Sequence, residues 1–108
     1  MSYIPDRGDI VWINFDPQSG KEQKGKRPGF IISKKEYNKK TGLALVCPIT
    51  SKRKYYPFEV NIDNKIEGVI LSDQVKSIDW NARKVTFIEK AKPSVIEEVV
   101  ENISLLIF

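Results

Sequence analysis

From Asp9 to Ile88 the apolar residues of this chain come in short runs rich in β-branched and aromatic side chains, each closed by glycine, proline or a polar cluster. Such runs favour strands, because branched side chains fit a pleated surface and lose rotamer freedom in a helix. Asp9 to Phe15, D-I-V-W-I-N-F, reads as a first strand, and Gly29 to Ser33 as a second that begins just after Pro28. Leu43 to Thr50 is a third. Its nearly continuous apolar character implies burial on both faces or a position at the centre of a barrel. Phe58 to Ile62, Val69 to Leu71, Gln74 to Ile78 and Lys84 to Ile88 are shorter strand segments. Asp16 to Lys26 is a long polar loop, and long loops in small domains are often functional. Lys34 to Lys40 has weak helical character and is ended by Gly42.

The period then changes. Val95, Ile96, Val99, Val100, Ile103, Leu106 and Ile107 recur at three- and four-residue steps, the spacing of one helical face. Pro93 suits the first turn, Ser94 with Glu97 spells a capping box, and Glu97 and Glu98 suit a helix N-terminus. The valines and isoleucines lower helix propensity, so packing against a sheet must hold this helix. About six short strands followed by one helix predict a mainly β fold: a small antiparallel SH3-like β-barrel with a C-terminal α-helix. At 108 residues, positions 1–108 are expected to form a single domain.

Composition narrows the chemistry. No apolar stretch is long enough to span a bilayer, and the first residues lack the apolar core of a secretory signal, so the expected location is the cytoplasm. Cys47 is the one cysteine and reads as a small buried hydrophobe within Leu43 to Cys47. The chain has no histidine, which argues against a zinc site and removes the commonest acid–base group. Asp6, Asp9 and Asp16 follow no metal-ligand spacing, so no metal or other cofactor is expected. Eighteen Lys and Arg against fourteen Asp and Glu give a net charge of +4. The basic residues crowd Lys21 to Arg27, Lys34 to Lys40 and Lys52 to Lys54, whereas Glu97, Glu98 and Glu101 lie near the C-terminus. The first half is therefore the candidate polyanion face.

Five ordered blocks carry a family resemblance. Pro5-Asp6-Arg7-Gly8-Asp9-Ile10-Val11-Trp12 is the first, and Phe15-Asp16-Pro17 with Gly20, Glu22, Gln23, Gly25, Arg27 and Pro28 the second. Pro48-Ile49-Thr50-Ser51, Tyr56-Pro57-Phe58-Glu59-Val60 and Leu71-Ser72-Asp73-Gln74-Val75-Lys76-Ser77-Ile78 complete the set. Together they resemble the MazF/PemK family of toxins from type II toxin–antitoxin systems, and the match weakens only in Glu89 to Phe108. The resemblance implies a CcdB/PemK-like barrel that forms a homodimer and cuts single-stranded RNA (mRNA) without metal, leaving a 2′,3′-cyclic phosphate and a 5′-hydroxyl. It also implies inhibition by a cognate MazE-like antitoxin through an acidic segment that is disordered when free. That segment would displace or pin the Asp16 to Lys26 loop and cover Arg27.

The family's catalytic Arg and Thr carry over onto Arg27 and Thr50, and the chemistry agrees in kind. RNA cleavage without metal uses the neighbouring 2′-hydroxyl as nucleophile and passes through a phosphorane that carries extra negative charge. A guanidinium offers parallel donors to the non-bridging oxygens, and a hydroxyl adds another. A guanidinium is a poor base, so Arg27 is assigned to charge stabilisation and to protonating the leaving 5′ oxygen. The group that takes the 2′ proton is left open, with Glu22 a candidate. Some relatives carry histidine before this arginine. Here the residue is Lys26, which can bind phosphate.

The RNA-contacting set is Glu22, Gln23, Lys26, Ser51, Lys52, Lys54, Tyr55, Gln74 and Lys76. Lys52-Arg53-Lys54 followed by Tyr55 and Tyr56 offers charge for phosphates and rings for stacking, although a solvated hairpin tip would read the same way. Asp73 and Gln74 suit either ordering of the site or turn hydrogen bonds, and Trp12 suits the core or a dimer interface. Two other functions compete: a non-catalytic gyrase poison like CcdB, and a catalytically dead barrel that binds RNA or an acidic partner. The first lacks its C-terminal tryptophan motif here, since the chain ends Leu105-Leu106-Ile107-Phe108. The second would not need Arg27 and Thr50 together.

Overall fold

The computed structural model describes residues 3–14 and 26–108. In chain order its elements are β1 (Asp9–Asn14), β2 (Lys26–Ile31), α1 (Lys35–Thr41), β3 (Leu43–Thr50), β4 (Glu59–Asp63), β5 (Glu67–Leu71), β6 (Lys76–Asp79), β7 (Thr86–Lys90) and α2 (Pro93–Ile107). The strands run β4-β5-β3-β2-β1-β7, every pair is antiparallel, and β6 adds to β3 off that path. This curled, half-barrel sheet with a C-terminal helix is the expected mainly β, SH3-like architecture.

β3 organises it. Its first half, Leu43 to Val46, pairs with β6, and its end, Ile49 and Thr50, pairs with β5. On its other edge Val46, Cys47 and Pro48 pair with Ile31, Phe30 and Gly29 of β2. The continuous apolar run thus does mark the central strand.

Alternation along the strands divides the core between the two faces of the sheet. One face carries Ile10, Phe30, Ile32, Cys47, Ile49, Val60 and Ile70, and α2 covers it with buried Val95 and Val99. The other carries Val11, Ile13, Ile31, Ala44, Val46, Ile78 and Val85, with Tyr3 and Trp80 packed against them. Side chains two residues apart share a face, so these memberships fix where every neighbouring polar side chain points.

Four local expectations need correction. β2 begins at Lys26 and contains Pro28, because Pro28 pairs only with Trp12 of β1 and leaves no β3 ladder bond missing. Gln74 lies before β6 in a turn, where its N–H donates to Leu71 O at 3.0 Å. The capping box does not form: Lys92 is the N-cap of α2 and Pro93 opens the helix, so Ser94 lies inside it. For the same reason the glutamates fall beyond the first turn. Of the predicted apolar face of α2, Val95 and Val99 are buried and Ile96, Val100 and Ile103 are partly buried, whereas Leu106 and Ile107 are exposed. α1 does end at Gly42, whose left-handed φ of 76° lets its N–H close on Asn38 O at 2.9 Å.

The first two aspartates of the chain serve structure. Asp9 is buried, pairs with Lys90 Nζ at 2.8 Å and accepts from Asp6 N at 3.0 Å and from the Tyr3 hydroxyl. Asp6 accepts from Lys35 N at 2.9 Å, holding the start of α1. Trp12 is half-buried opposite Pro28 and Thr86.

Candidate active site

Arg27 pairs with Ile13 of β1, and it alternates with Gly29 and Ile31 along β2. It therefore lies on the face that carries Ile31 and Val46. Thr50 alternates with Pro48, Val46 and Ala44 along β3 and lies on that same face. The β2–β3 register pairs Phe30 with Cys47 and Gly29 with Pro48. Carried on two residues toward the strand ends, it sets Arg27 across from Thr50.

A cavity of about 360 Å³ opens there, lined by Ile13, Arg27, Pro28, Val46, Pro48, Ile49, Thr50, Gln74 and Lys76. Its floor is the apolar end of the sheet, and its rim holds a guanidinium, a hydroxyl, an amide and an ammonium. Lys52 N–H donates to Thr50 Oγ1 at 3.1 Å, which steadies the side chain and leaves the hydroxyl proton free to donate outward.

A second cavity of about 240 Å³ adjoins the first and shares Thr50 and Gln74 with it. Lys52, Lys54, Tyr56, Glu59 and Leu71 complete its lining. Glu59 orders the loop above it, accepting Lys54 N at 2.7 Å and Tyr55 N at 3.0 Å, one on each carboxylate oxygen. Tyr56 OH donates to Asp73 Oδ1 at 3.1 Å. Desolvation and that bond to a carboxylate raise the phenol's pKa, so the hydroxyl stays protonated.

Of the residues named from sequence, the structure thus brings together Arg27, Thr50, Gln74, Lys76, Lys52 and Lys54 around two joined cavities. Lys26 and Ser51 are exposed neighbours of Arg27 and Thr50 that line neither. Tyr55 also lines neither. It is 84% exposed, with a positive φ of 59° that turns the loop at its tip. Glu22 and Gln23, like all of residues 15–25, lie outside the described residues. Sequence reasoning missed the apolar walls Ile13, Val46 and Pro48, and it missed Glu59. The walls look like core in a one-dimensional pattern, whereas Glu59 sits in the quoted Y-P-F-E-V block and could have been found there.

Cys47 is buried on the opposite face, and desolvation followed by the Asp73 charge pushes its thiol up to about 12. It is a packing residue.

The family model described as PemK-like, MazF-like toxin of type II toxin–antitoxin systems matches residues 6–107. This chain belongs to that family. It is 44% identical over 106 residues to a protein named endoribonuclease toxin MazF from Escherichia coli K12, covering 97% of this chain and 96% of that one. It is 36% identical over 109 residues to endoribonuclease toxin ChpB of the same organism, covering 94% and 93%. The crystal structure of MazE-MazF (Form-II) from Deinococcus radiodurans superposes with a TM-score of 0.92 at 42% identity, covering 98% and 97% of the two chains. An endoribonuclease from a mycobacterial species in complex with its cognate antitoxin shares the fold, with a TM-score of 0.78 at 16% identity over 95% and 94%.

Proposed function

We propose that this protein is an endoribonuclease toxin that cleaves single-stranded RNA without metal, with Arg27 and Thr50 at the scissile phosphate. The observation that carries the reading is the single cavity lined by Arg27, Thr50, Gln74 and Lys76, in a family whose relatives are named endoribonuclease toxins.

The reaction follows from those groups. The 2′ oxygen attacks phosphorus, the bond to the 5′ oxygen breaks, and the products are a 2′,3′-cyclic phosphate and a 5′-hydroxyl. Arg27 meets the charge on the phosphorane with parallel N–H donors, and Thr50 adds its hydroxyl. Arg27 also supplies a proton to the departing 5′ oxygen, and a carboxylate such as Glu22 takes the 2′ proton. Lys76 and Gln74 hold the phosphate and the adjoining nucleotide. Lys26, Ser51, Lys52, Lys54, Tyr55 and Gln23 continue the track along the strand.

The protein acts in the cytoplasm as a homodimer of single domains spanning 1–108. A MazE-like antitoxin neutralises it by laying an acidic segment over the basic rim. The support is the net charge of +4 and relatives solved as complexes with MazE or a cognate antitoxin. Among the described residues no helix is long and apolar enough to cross a membrane.

Incubation of the pure protein with RNA in EDTA, followed by mapping of the ends, tests the chemistry. Cleavage should proceed in chelator and stop when the nucleotide at the cut carries a 2′-deoxy sugar. Cutting at the deoxy position would refute the 2′-hydroxyl route.

A further inference from the structure

Ser72 is fully buried, although it stands one residue before the exposed Asp73. A polar group stays in such a place only when its partners are supplied by the protein. Here they are. Ser72 N–H donates to Phe58 O at 3.0 Å, and its hydroxyl donates to the same carbonyl at 2.5 Å. The hydroxyl oxygen accepts from Asn102 Nδ2 of α2 at 3.1 Å. One small side chain therefore ties together the segment before β4, the turn after β5 and the C-terminal helix.

The first two of those segments build the second cavity. Tyr56 and the first residue of β4, Glu59, come from one side, the last residue of β5, Leu71, and Gln74 from the other, and Gln74 also lines the first cavity beside Arg27 and Thr50. The same loops meet again at the surface, where Tyr56 OH donates to Asp73. That outer bond competes with water. The inner one at Ser72 does not, so it sets the spacing of the loops more firmly. Neither Ser72 nor Asn102 lines either cavity, so any influence on substrate must pass through the loops.

We propose that Ser72, held from α2 by Asn102, is a positioning residue that fixes Gln74 against the bound RNA strand. This role rests on the reading of the two cavities as the RNA-binding groove. Loss of the Ser72 hydroxyl leaves only the backbone N–H on Phe58 O and cuts the link to Asn102, so the β5–β6 turn loosens and Gln74 shifts with it. Binding of the strand weakens while the fold survives.

The test is steady-state cleavage of a single-site oligoribonucleotide, at a temperature where circular dichroism shows each variant fully folded. Ser72→Ala removes both hydrogen bonds of the hydroxyl and should raise KM about 3- to 10-fold, the net scale of about one buried hydrogen bond passed on to the substrate. In a Gln74→Ala background the same change should move KM less than about twofold, because the group it positions is gone. A change that only lowered the folded fraction would reduce apparent kcat and leave KM alone. An unchanged KM for Ser72→Ala, or an equal rise with and without the Gln74 side chain, overturns the proposal. If Ser72→Ala does not fold, Asn102→Ala enters the same cycle, with a KM rise of about 2- to 5-fold expected and a wild-type KM overturning it. Arg27→Ala separates the two levels: an inactive Arg27→Ala beside an unaffected Ser72→Ala removes this role alone, whereas an active Arg27→Ala removes the site reading beneath it.

Discussion

Gly68 lies in β5 with a φ of +140°, and a Cβ built there would come within 2.5 Å of Thr50 O and 3.1 Å of Thr50 C. Both are backbone atoms, so no side-chain rotation relieves the contact. Gly68→Ala must therefore push β3 away at Thr50. An ordinary contact of about 3.4 Å requires a displacement of about 0.9 Å at the residue assigned to the phosphate. Misplacement on that scale costs on the order of 10²-fold in a reaction that depends on near-attack geometry. Stability suffers as well. Backbone strain for a residue with a Cβ costs about 1–3 kcal/mol, and overpacking about 1–3 kcal/mol more. The thermal midpoint should fall by roughly 10 °C or more.

Thermal unfolding by circular dichroism and single-turnover RNA cleavage, well below both midpoints, measure the two effects separately. Val99→Ala is the control: it trims a buried core side chain under α2, costs about 1–3 kcal/mol, and should leave the rate per folded molecule unchanged. A Gly68→Ala protein with wild-type rate and midpoint would refute the reasoning. So would one that cleaves as well as Val99→Ala once both are folded.

Replacing Lys52 and Lys54 with Gln should weaken RNA binding at low salt and flatten its dependence on log salt, measured by fluorescence titration. The slope should drop by about 0.7 for each phosphate left without its lysine. Native Cys47 should resist alkylation at pH 8 and react on unfolding in urea, since burial keeps its thiol protonated. Burial works against the charge of Asp6, but the N–H groups of Lys35 and Arg7, with Lys90, overcome it and hold the carboxyl below its ordinary range. A depressed pKa gives stability above the unfolded value that is lost as pH falls through the folded one. Asp6→Asn should thus lower the urea midpoint slightly at pH 7, the effect small because the side chain is 44% accessible to solvent, and the difference should start to shrink as pH falls below about 4 and be lost at still lower pH.

The strands were legible because β-branched and aromatic residues cluster in runs with clear ends, and Leu43 to Thr50 declared itself central by lacking polar alternation. Arg27 and Thr50 were legible as strand-end polar residues inside ordered motifs. Their shared face became visible only once the register fixed which residues pair. Pro28 was misread because a proline signals a strand boundary unless one edge is known to be unpaired. Ser94 and Glu97 satisfied a capping pattern that Pro93, at the first turn, had already pre-empted. The apolar end of α2 matched a buried face in period alone, because periodicity gives the side of a helix but not whether anything covers it, and Leu106 and Ile107 are exposed. Ser72 was hidden for another reason. Its partners Phe58 and Asn102 lie 14 and 30 positions away, and no local pattern joins them.

The most direct measurement is a double-mutant cycle on single-turnover cleavage in EDTA, with Arg27→Ala, Thr50→Val and the double variant, all checked as folded. If both groups meet the charge of one phosphorane, each single change should slow cleavage by about 10²-fold or more, and the double variant should lose less than the product. Wild-type rates from Arg27→Ala, or strictly multiplicative losses from two independent sites, would contradict the account.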